Sequence, residues 1–509
     1  MRYQFYYITD ILCAVIAAGD TLHERRGEPQ SMGIKTSAEY LASLKKLKPR
    51  VYIAGEKVED VSTNKFFQPS IREVCKFYDW SNDPEKRDDF VYWSPLVNEE
   101  VSFWTHIRET KEEFVDLLKI MKKNNARNFC SFCMGIGPCV FWATTYDIDQ
   151  AKGTTYQERL REFFKKLQRE DLRFCLGVMD PKGDRSLPPS KQADPDLHLR
   201  IVERRADGIV VKGAKMHTSS APLAHYIFCA PGGMLTEEDK DYAVSFAIPI
   251  DTKGITFITR PSPTPLNATP MTNPASIRHN MVECLTVFDN VFVPWDNVFM
   301  AGEWEFTDRF IHYFSSYGRP VKATCISART DMIIGAASLI SEYNGVSRTS
   351  HIRSKINEMM ITSNIGWGCV LGSVANSVQH PSGIPIPDIS LSNSGLYYSR
   401  LRFVEFLGTL MEIAGGVVTT MPLEADFRNE ETRPLIEKYF KGKSDIPTED
   451  RLKLLYLIQE LTASRFGGYF LASAICAVGT PETNKLEVLR NYDLLTQIEN
   501  IKDICDIKT

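Results

Sequence analysis

The spacing of apolar residues divides the chain into three regions, of which the first is typical of helices. Apolar residues recur there at positions i, i+3, i+4 and i+7. Two stretches show this spacing: Phe114, Leu117, Leu118 and Met121, and then Leu160, Phe163, Phe164 and Leu167. Residues spaced in this way share one face of an α-helix, which turns every 3.6 residues. The first region is therefore predicted to be mostly helical.

From about residue 171 the pattern changes to short runs of β-branched and aromatic residues separated by Gly and Pro, which is typical of strands. The runs are Ile209–Val211, His225–Cys229, Ala243–Ile250, Ile255–Thr259 and Cys284–Val293. After about residue 303, long stretches with helical spacing return and predict a helix bundle. They are Asp331–Tyr343, Tyr398–Ala414 and Leu452–Val478, with a charged, proline-interrupted loop expected at Asp426–Thr448.

These changes predict a helical domain at 32–170, a β domain at 171–302 and a helical bundle at 303–509. Residues 1–31 are predicted to be an extension outside the fold. Their apolar run, Ile11–Gly19, is too short to cross a bilayer and follows a single basic residue, Arg2, unlike a signal peptide. The first helix is expected to begin near Thr36, which forms a capping-box pattern with Glu39.

Composition narrows the class of protein. Hydrophobic residues make up 43% and charged residues 24% of the 509 positions, as in ordinary globular proteins. The 60 basic and 64 acidic residues leave a net charge of −4, which argues against nucleic acid or an anionic membrane as a partner. The twelve cysteines show no disulfide-framework spacing and suit a reducing cytoplasm. We therefore expect a cytoplasmic protein with a small-molecule substrate.

Three cysteines lie within ten residues: Cys130, Cys133 and Cys139. Cys130 and Cys133 form the one CxxC pair of the chain, so a structural zinc site with two such pairs is not expected. The pair follows a predicted helix, unlike a thioredoxin motif, which follows a strand. Two interpretations stay open: an iron–sulfur site with distant ligands, or buried thiols.

A family resemblance comes from several segments across the centre and end of the chain. They are Met179–Arg185 (MDPKGDR), Asp194–Glu203, Asp207–Thr218, Asp239–Ala247, Val287–Pro294 and Ala414–Pro422. Together they resemble the 4-hydroxyphenylacetate 3-hydroxylase / 4-hydroxybutyryl-CoA dehydratase family, with the dehydratase branch nearer. The resemblance runs from about Ser37 to the 470s. It implies an α+β fold like that of acyl-CoA dehydrogenases, with an N-terminal helical domain, a central β barrel and a C-terminal helix bundle.

The resemblance also implies FAD and a homotetramer, because the family binds this flavin and places the Ala414 segment near it, often across a subunit interface. A flavin site needs main-chain donors and hydroxyls at the ring and cationic or amide groups at the pyrophosphate, which these loops contain. The implied contacts are Met179, Asp180, Pro181, Lys182, Gly183, Asp184, Arg185, His217, Thr218, Ser219, Gly415 and Gly416.

In the dehydratase branch, a [4Fe–4S] cluster beside the flavin is held by three cysteines and a histidine. Cys133 and Cys325 match two of these cysteines, and Cys130 lies one position from the third. The histidine is replaced by Gly318. Three thiolates from Cys130, Cys133 and Cys325 still make a cluster conceivable, with Cys139 or His312 as a fourth ligand. The loss of the histidine favours the alternative of buried thiols.

The proton-transfer residues of that branch are only partly present. The glutamate of the middle domain is retained as Glu283, whereas the tyrosine is replaced by Lys322 and the lysine by Ile326. The glutamate of the C-terminal helices falls near Ala472 or Ser473. Glu283 is therefore the candidate base, and Lys322 the candidate acid or oxyanion partner.

Three functions remain open from the sequence. The first is a FAD-dependent enzyme on a small hydroxyacyl- or enoyl-CoA, either a dehydratase, a double-bond isomerase or a related redox enzyme. The second is a two-component hydroxylase of phenolic acids served by a flavin reductase; the histidine of that branch has no clear counterpart before Asp180. The third is a flavoprotein paralogue without catalysis. We predict the first.

Overall fold

The protein is described by a computed structural model covering residues 33–128, 136–278 and 281–507. The predicted extension at 1–31, together with Cys130 and Cys133, lies outside the described residues. Among the described residues of the first region, the helices are α1 (Ser37–Lys46), α2 (Gln68–Asn82), α3 (Lys111–Asn128), α4 (Gly137–Lys152) and α5 (Tyr156–Arg169).

The predicted start of α1 is confirmed by a complete capping box. The Thr36 hydroxyl accepts a hydrogen bond from the Glu39 N–H at 3.2 Å, and the Glu39 carboxylate accepts one from the Thr36 N–H at 2.8 Å. Both predicted helix faces are also buried, so the helical spacing marks the core-facing side of α3 and α5.

The strands of the first two regions form two main sheets. One has six strands in the order β2-β1-β10-β11-β7-β6 and the other four in the order β12-β9-β8-β5. All the predicted runs become strands. The strands are β1 (Val51–Ile53), β2 (Glu56–Val58), β5 (Phe174–Gly177), β6 (Arg200–Arg204), β7 (Gly208–Lys215), β8 (Tyr226–Cys229), β9 (Val244–Pro249), β10 (Ile255–Arg260), β11 (Glu283–Pro294) and β12 (Val298–Ala301), with a separate hairpin of β3 (Val91–Ser94) and β4 (Glu99–Ser102).

The six-stranded sheet includes two strands from the region predicted to be mostly helical. β1 pairs in parallel with β10, Val51 lying opposite Phe257. The short apolar run of β1 carries no helical or alternating pattern of its own, so its partner in the sheet decides its structure. Next to it, β10 and β11 are antiparallel and place Arg260 opposite Glu283.

Aromatic packing joins the first helices to the four-stranded sheet. Phe228 on β8 is fully buried and stacks against Phe164 of α5 and Phe299 of β12, with ring centroids 5.8 Å apart in both cases. Phe141 of α4 contacts the same ring at 4.8 Å. Such ring pairs add to the free energy gained by burying their area, so the helices and sheet share one core.

The last region is a helix bundle, as predicted. Its three longest helices pack against one another around a common core. The helices are α6 (Thr307–Tyr343), α7 (Ser350–Ala375), α8 (Ile389–Ile413), α9 (Glu424–Arg428), α10 (Arg433–Tyr439), α11 (Thr448–Thr462), α12 (Arg465–Cys476), α13 (Pro481–Asn491) and α14 (Leu494–Ile504), with a two-stranded hairpin of β13 (Val378–Gln379) and β14 (Pro385–Ile386).

The prediction of a loop at Asp426–Thr448 is wrong in part, because this segment contains α10 and the end of α9. Phe427 and Ile436 are buried in a small separate core with Met271, Leu452 and Tyr456. Two short helices each contribute one apolar side chain to this cluster, which is too sparse a pattern to mark a helix in the sequence. Tertiary packing therefore orders the segment.

Membrane-span criteria of length and hydropathy are met by Trp304–Tyr343, which contains α6, and jointly by the bent pair Thr448–Thr462 and Arg465–Asn491. In the first segment, 67% of the most apolar window is buried inside the protein. This burial is what the central helix of a folded bundle shows, since its apolar residues contact other helices.

Candidate active site

The centre of the candidate site is Glu283, the first residue of β11. Its Oε2 accepts a hydrogen bond from the Ser219 hydroxyl at 2.8 Å, and its Oε1 accepts one from the Tyr469 hydroxyl at 3.3 Å. Burial raises the pKa of Glu283 above that of an ordinary glutamate. The two hydrogen bonds and the positive charges of Arg260 and Lys322 oppose this rise without cancelling it. A carboxylate of this kind is suited to accept a proton near neutral pH.

Two cations flank this carboxylate from different elements. Lys322 on α6 is 4% exposed, and its Nζ donates to the Ser473 carbonyl oxygen at 2.6 Å. Arg260 ends β10 opposite Glu283, with its guanidinium carbon 5.1 Å from the centre of the Tyr469 ring. The structure thus brings together Glu283 and Lys322, the two candidate catalytic residues. It surrounds one carboxylate with excess positive charge, which favours a reaction that develops negative charge.

The Met179–Arg185 loop is anchored at its base by a buried ion pair. The ammonium group of Lys215, whose side chain is 2% exposed, contacts Asp180 Oδ1 at 2.6 Å and donates to the Ala230 carbonyl at 2.8 Å. The Met216 N–H also donates to the Met179 carbonyl at 2.7 Å. The start of the loop is therefore fixed against the end of β7.

Beyond this anchor the loop turns outward. Gly183 has φ +53°, and an added Cβ there would lie 2.5 Å from Gln192 Oε1, so the turn requires glycine. The same Gln192 oxygen accepts the Asp184 N–H at 2.9 Å. Lys182 and Arg185 are exposed on this rigid turn. Two cations on a fixed loop are a suitable surface for a pyrophosphate.

The strand-end segment His217–Ser219 links that loop to Glu283. Burial lowers the pKa of His217, and the positive charge of Lys182 lowers it further. Lys182 and His217, both candidate flavin contacts, therefore lie close together. The Thr218 hydroxyl lies 2.6 Å from the Thr286 hydroxyl and 3.1 Å from the Cys284 carbonyl oxygen. Ser219 is the residue that donates to Glu283. A single segment thus contributes to both candidate surfaces.

Pro181 is half-buried in the same loop, whereas Gly415 and Gly416 lie elsewhere, after the end of α8. Both glycines are exposed and have positive φ, +80° and +72°. An added Cβ at either would have no atom within 4 Å in this chain. The left-handed backbone conformation, rather than close packing, therefore accounts for the presence of glycine at both positions. Their backbone groups form hydrogen bonds with Glu412, Met411 and Thr419, all in or beside the same turn.

The described cysteines do not converge on a metal site. Cys325 is buried on α6, and Cys139 is buried beside Arg108 and Tyr317, where burial raises the pKa of its thiol. Within 33–128, 136–278 and 281–507, no group of three His, Cys, Asp or Glu side chains has a metal-binding arrangement.

Gly318 is the position at which the sequence predicts the loss of a cluster histidine, and its nearest described neighbours are apolar. A Cβ added there would lie 3.2 Å from Val478 Cγ1 and 3.8 Å from Ile136 Cδ1. Ile326, one turn beyond Lys322, is also completely buried. The described atoms nearest to Gly318 therefore supply no polar or thiolate ligand for an iron–sulfur cluster, while Cys130 and Cys133, two of the expected ligands, lie outside the described residues.

Sequence reasoning missed Tyr469 and Arg260. Arg260 directly follows the predicted strand Ile255–Thr259, and Tyr469 precedes the Ala472–Ser473 position considered for a glutamate. Neither belongs to a motif, and Tyr469 is 186 residues from Glu283. Only the docking of α12 against the end of β11 brings them together.

Comparison with known proteins agrees with this architecture over nearly the whole chain. Residues 36–300 match the 4-hydroxyphenylacetate 3-hydroxylase N-terminal domain, and residues 307–506 match its C-terminal domain. The 4-hydroxybutyryl-CoA dehydratase/vinylacetyl-CoA-Δ-isomerase of Clostridium aminobutyricum is 32% identical over 93% of this chain and 100% of its own. The 4-hydroxyphenylacetate 3-monooxygenase oxygenase component of Thermus thermophilus is 28% identical over 85% and 89%, respectively.

Solved structures show the same relationship. An oxygen-tolerant archaeal 4-hydroxybutyryl-CoA dehydratase from N. maritimus superposes with a TM-score of 0.87 at 32% identity, covering 94% of this chain and 96% of that one. The oxygenase component HpaB of 4-hydroxyphenylacetate 3-monooxygenase, complexed with FAD and 4-hydroxyphenylacetate, superposes with a TM-score of 0.83 at 25% identity. The match covers 93% of this chain and 98% of that one. The predicted fold class and family are confirmed: the chain belongs to the 4-hydroxyphenylacetate 3-hydroxylase family, which includes both a CoA-thioester dehydratase/isomerase and phenol monooxygenases.

Proposed function

We propose that this protein is a FAD-dependent enzyme acting on a small enoyl-CoA, and that its reaction moves the carbon–carbon double bond. The observation that carries the proposal is the half-buried Glu283 carboxylate, which accepts hydrogen bonds from Ser219 and Tyr469. Burial raises its pKa, and the charges of Arg260 and Lys322 act on it. The dehydratase/isomerase among its relatives, 32% identical over its full length, supports the choice of a CoA thioester.

The reaction proposed is a 1,3-proton shift from a β,γ-enoyl to an α,β-enoyl thioester. Glu283 removes a proton from the carbon next to the thioester carbonyl, which leaves a dienolate. Lys322 and Arg260 stabilise the negative charge on that dienolate. The protonated Glu283 then returns the proton to the γ-carbon. Atoms and electrons balance without an oxidant or a reductant, so the described residues are sufficient for the proton transfers.

The residues of the Met179–Arg185 loop and His217–Ser219 fit a flavin. Lys182 and Arg185 would hold the pyrophosphate, while the Thr218 and Ser219 segment would border the ring. When bound, FAD supplies a planar redox-active ring that lines the site and excludes water. The exposed, rigid turn at Gly183 supports this assignment, since its backbone is free to approach a ligand. The Gly415–Gly416 turn is proposed as the contact that a second subunit completes.

Dehydration of a 4-hydroxyacyl-CoA is less well supported, because it also requires activation of a poor leaving hydroxyl group. In the related branch this activation is assigned to the cluster, and the apolar surroundings of Gly318 do not fit a ligand there. The proposal is therefore isomerisation without dehydration.

The test is an assay of the purified, FAD-reconstituted protein with vinylacetyl-CoA in D₂O. We expect crotonyl-CoA, with deuterium at the γ-carbon in the fraction of turnovers in which protonated Glu283 exchanges with solvent before it returns the proton, and no conversion of 4-hydroxybutyryl-CoA. Glu283→Gln should lower kcat by about 10²- to 10⁴-fold. The matched control is Glu73→Gln on α2, a buried carboxylate whose pKa is also raised, which should leave kcat unchanged. Turnover of 4-hydroxybutyryl-CoA, with iron and sulfide in anaerobically purified protein, would contradict the proposal.

A hydroxylase is the second candidate, because several relatives are named as oxygenase components of monooxygenases. A component of that kind would need a separate flavin reductase as its partner. Incubation with 4-hydroxyphenylacetate, NADH, FAD and a flavin reductase tests this directly. Formation of the catechol product would favour the hydroxylase. Flavin binding with no turnover in either assay would favour a non-catalytic paralogue.

We also propose a cytoplasmic homotetramer. The nine described cysteines are all free thiols, which suits a reducing compartment. Helix α14 has no buried residue and exposes Leu495, Ile498, Ile501 and Ile504 along its length. An apolar stripe of this kind marks an interaction surface. Light scattering after size exclusion should give four times the 57.8 kDa chain mass, and a monomer at micromolar concentration would refute the assembly.

A further inference from the structure

Tyr469 on α12 contacts Glu283 across the boundary between the central sheet and the helix bundle. Its hydroxyl donates to Glu283 Oε1 at 3.3 Å, while Ser219 donates to Oε2 at 2.8 Å. We propose that Tyr469 is a positioning residue that fixes the Glu283 carboxylate for proton transfer. The proposal rests on the proposed function only for its kinetic readout.

The two hydrogen bonds define the orientation of the carboxylate. Each carboxylate oxygen has two lone pairs, so one donor on each oxygen leaves a lone pair on each for the substrate proton. A carboxylate held on one oxygen alone rotates about its terminal bond, which is a broad, low-barrier torsion. Because Ser219 and Tyr469 donate hydrogen bonds to opposite oxygens, they restrict this rotation.

The Tyr469 ring is itself held in place. The Arg260 guanidinium lies over it, with 5.1 Å from the guanidinium carbon to the ring centre. Its helix is tied to α6, since Lys322 Nζ donates to the Ser473 carbonyl and Arg329 donates to the Ser473 hydroxyl at 2.8 Å. The position of the hydroxyl therefore depends on two anchors outside the tyrosine.

Tyr469 also stabilises the charged form of Glu283, because a hydroxyl donates more strongly to a carboxylate than to a carboxylic acid. Among the described residues, the charged and titratable groups that act on Glu283 are Arg260 on β10, Lys322 on α6, Tyr469 on α12 and the adjacent thiol of Cys284. The two cations act in the same direction as Tyr469, and burial acts in the opposite direction. Loss of the Tyr469 hydroxyl therefore moves the pKa of Glu283 upward.

The test is Tyr469→Phe, which keeps the ring and its contact with Arg260 and removes the hydroxyl alone. We expect the acidic limb of the pH profile of kcat for vinylacetyl-CoA isomerisation to move up by about 0.5–1 unit, with KM little changed. The matched control is Tyr456→Phe on α11, whose hydroxyl donates to the Pro422 carbonyl at 2.7 Å. This control should leave the profile in place.

A second readout does not depend on activity. The infrared band of the protonated carboxyl group of Glu283, identified by its loss in Glu283→Gln, is titrated in both proteins. Its midpoint should rise in Tyr469→Phe by the same amount as the kinetic limb. If the midpoint shifts but no isomerisation occurs, the positioning role stands and the proposed function fails. An unchanged midpoint in folded Tyr469→Phe overturns the positioning role whatever the activity.

Discussion

The ion pair between Lys215 and Asp180 should hold the Met179–Arg185 loop on the sheet, and its energy can be worked out from burial. The Lys215 side chain is 2% exposed and that of Asp180 22% exposed, at a distance of 2.6 Å. Removing one partner of a buried pair leaves an unpaired charge and costs about 3–5 kcal/mol. In Asp180→Asn the ammonium group of Lys215 keeps its hydrogen bonds to the Ala230 and Val178 carbonyls. We therefore expect this substitution to destabilise the loop by roughly 2–3 kcal/mol.

Native-state hydrogen exchange of the Met216 amide measures this cost locally, because that amide donates to the Met179 carbonyl. One decade in the opening equilibrium corresponds to about 1.36 kcal/mol. Asp180→Asn should therefore speed exchange of this amide by about 30- to 150-fold. Lys215→Met should speed it less, since the remaining carboxylate reaches solvent. The double variant should cost less than the sum of the two single variants.

The matched control is the pair Lys191–Glu238, which has a similar distance of 2.8 Å but side chains 57% and 67% exposed. Glu238→Gln should change exchange in its own segment by a factor of about five at most, as expected for an exposed ion pair worth under 1 kcal/mol. Equal effects at the buried and exposed pairs would refute the reasoning, because burial is the one difference used to separate them.

Three further predictions concern pH and backbone conformation. The raised pKa of Glu283 means that the folded protein binds this proton more tightly than the unfolded chain, so stability falls as pH rises above 4.5. The melting temperature of Glu283→Gln should therefore exceed that of the wild type at pH 8 but not at pH 4. Burial lowers the pKa of His225 to about 3 from 6.5, so its contribution to stability is lost as pH falls through that window; His225→Phe should flatten the melting temperature between pH 6.5 and 3, and an unchanged slope would contradict this. Gly183→Ala should weaken FAD binding about 5- to 30-fold, because a left-handed residue with a Cβ costs about 1–2 kcal/mol and the added atom meets Gln192; Gly233→Ala, with no atom near its Cβ position, should bind FAD as wild type in the same fluorescence titration.

Much of the fold was predictable because its signals are local. The helical spacing at Phe114–Met121 and Leu160–Leu167, the capping box at Thr36 and the strand runs of the central region each depend on neighbouring residues alone. The strand β1 and the helix α10 were not predictable in this way. Their short apolar patterns gain a defined structure only from the parallel partner β10 and from the small core around Phe427, respectively.

The residues of the candidate site likewise fall into those predicted from the sequence and those found only in the structure. Glu283 and the flavin-contact loops were predicted from segments that resemble the family, and Lys322 was predicted from its position, where the family has a tyrosine. Tyr469 and Arg260 have no motif, and their roles come from α12 packing beside the end of β11 and from the register of β10 with β11.

The sequence by itself determined the order of helical and β regions, the family, and one candidate base with one candidate cation. The tertiary structure decided which groups surround that base: a serine and a tyrosine on opposite oxygens, with two cations nearby. The physical reason is that propensity and periodicity act between neighbours, whereas hydrogen bonds, burial and charge at a site depend on distances between residues far apart in the chain.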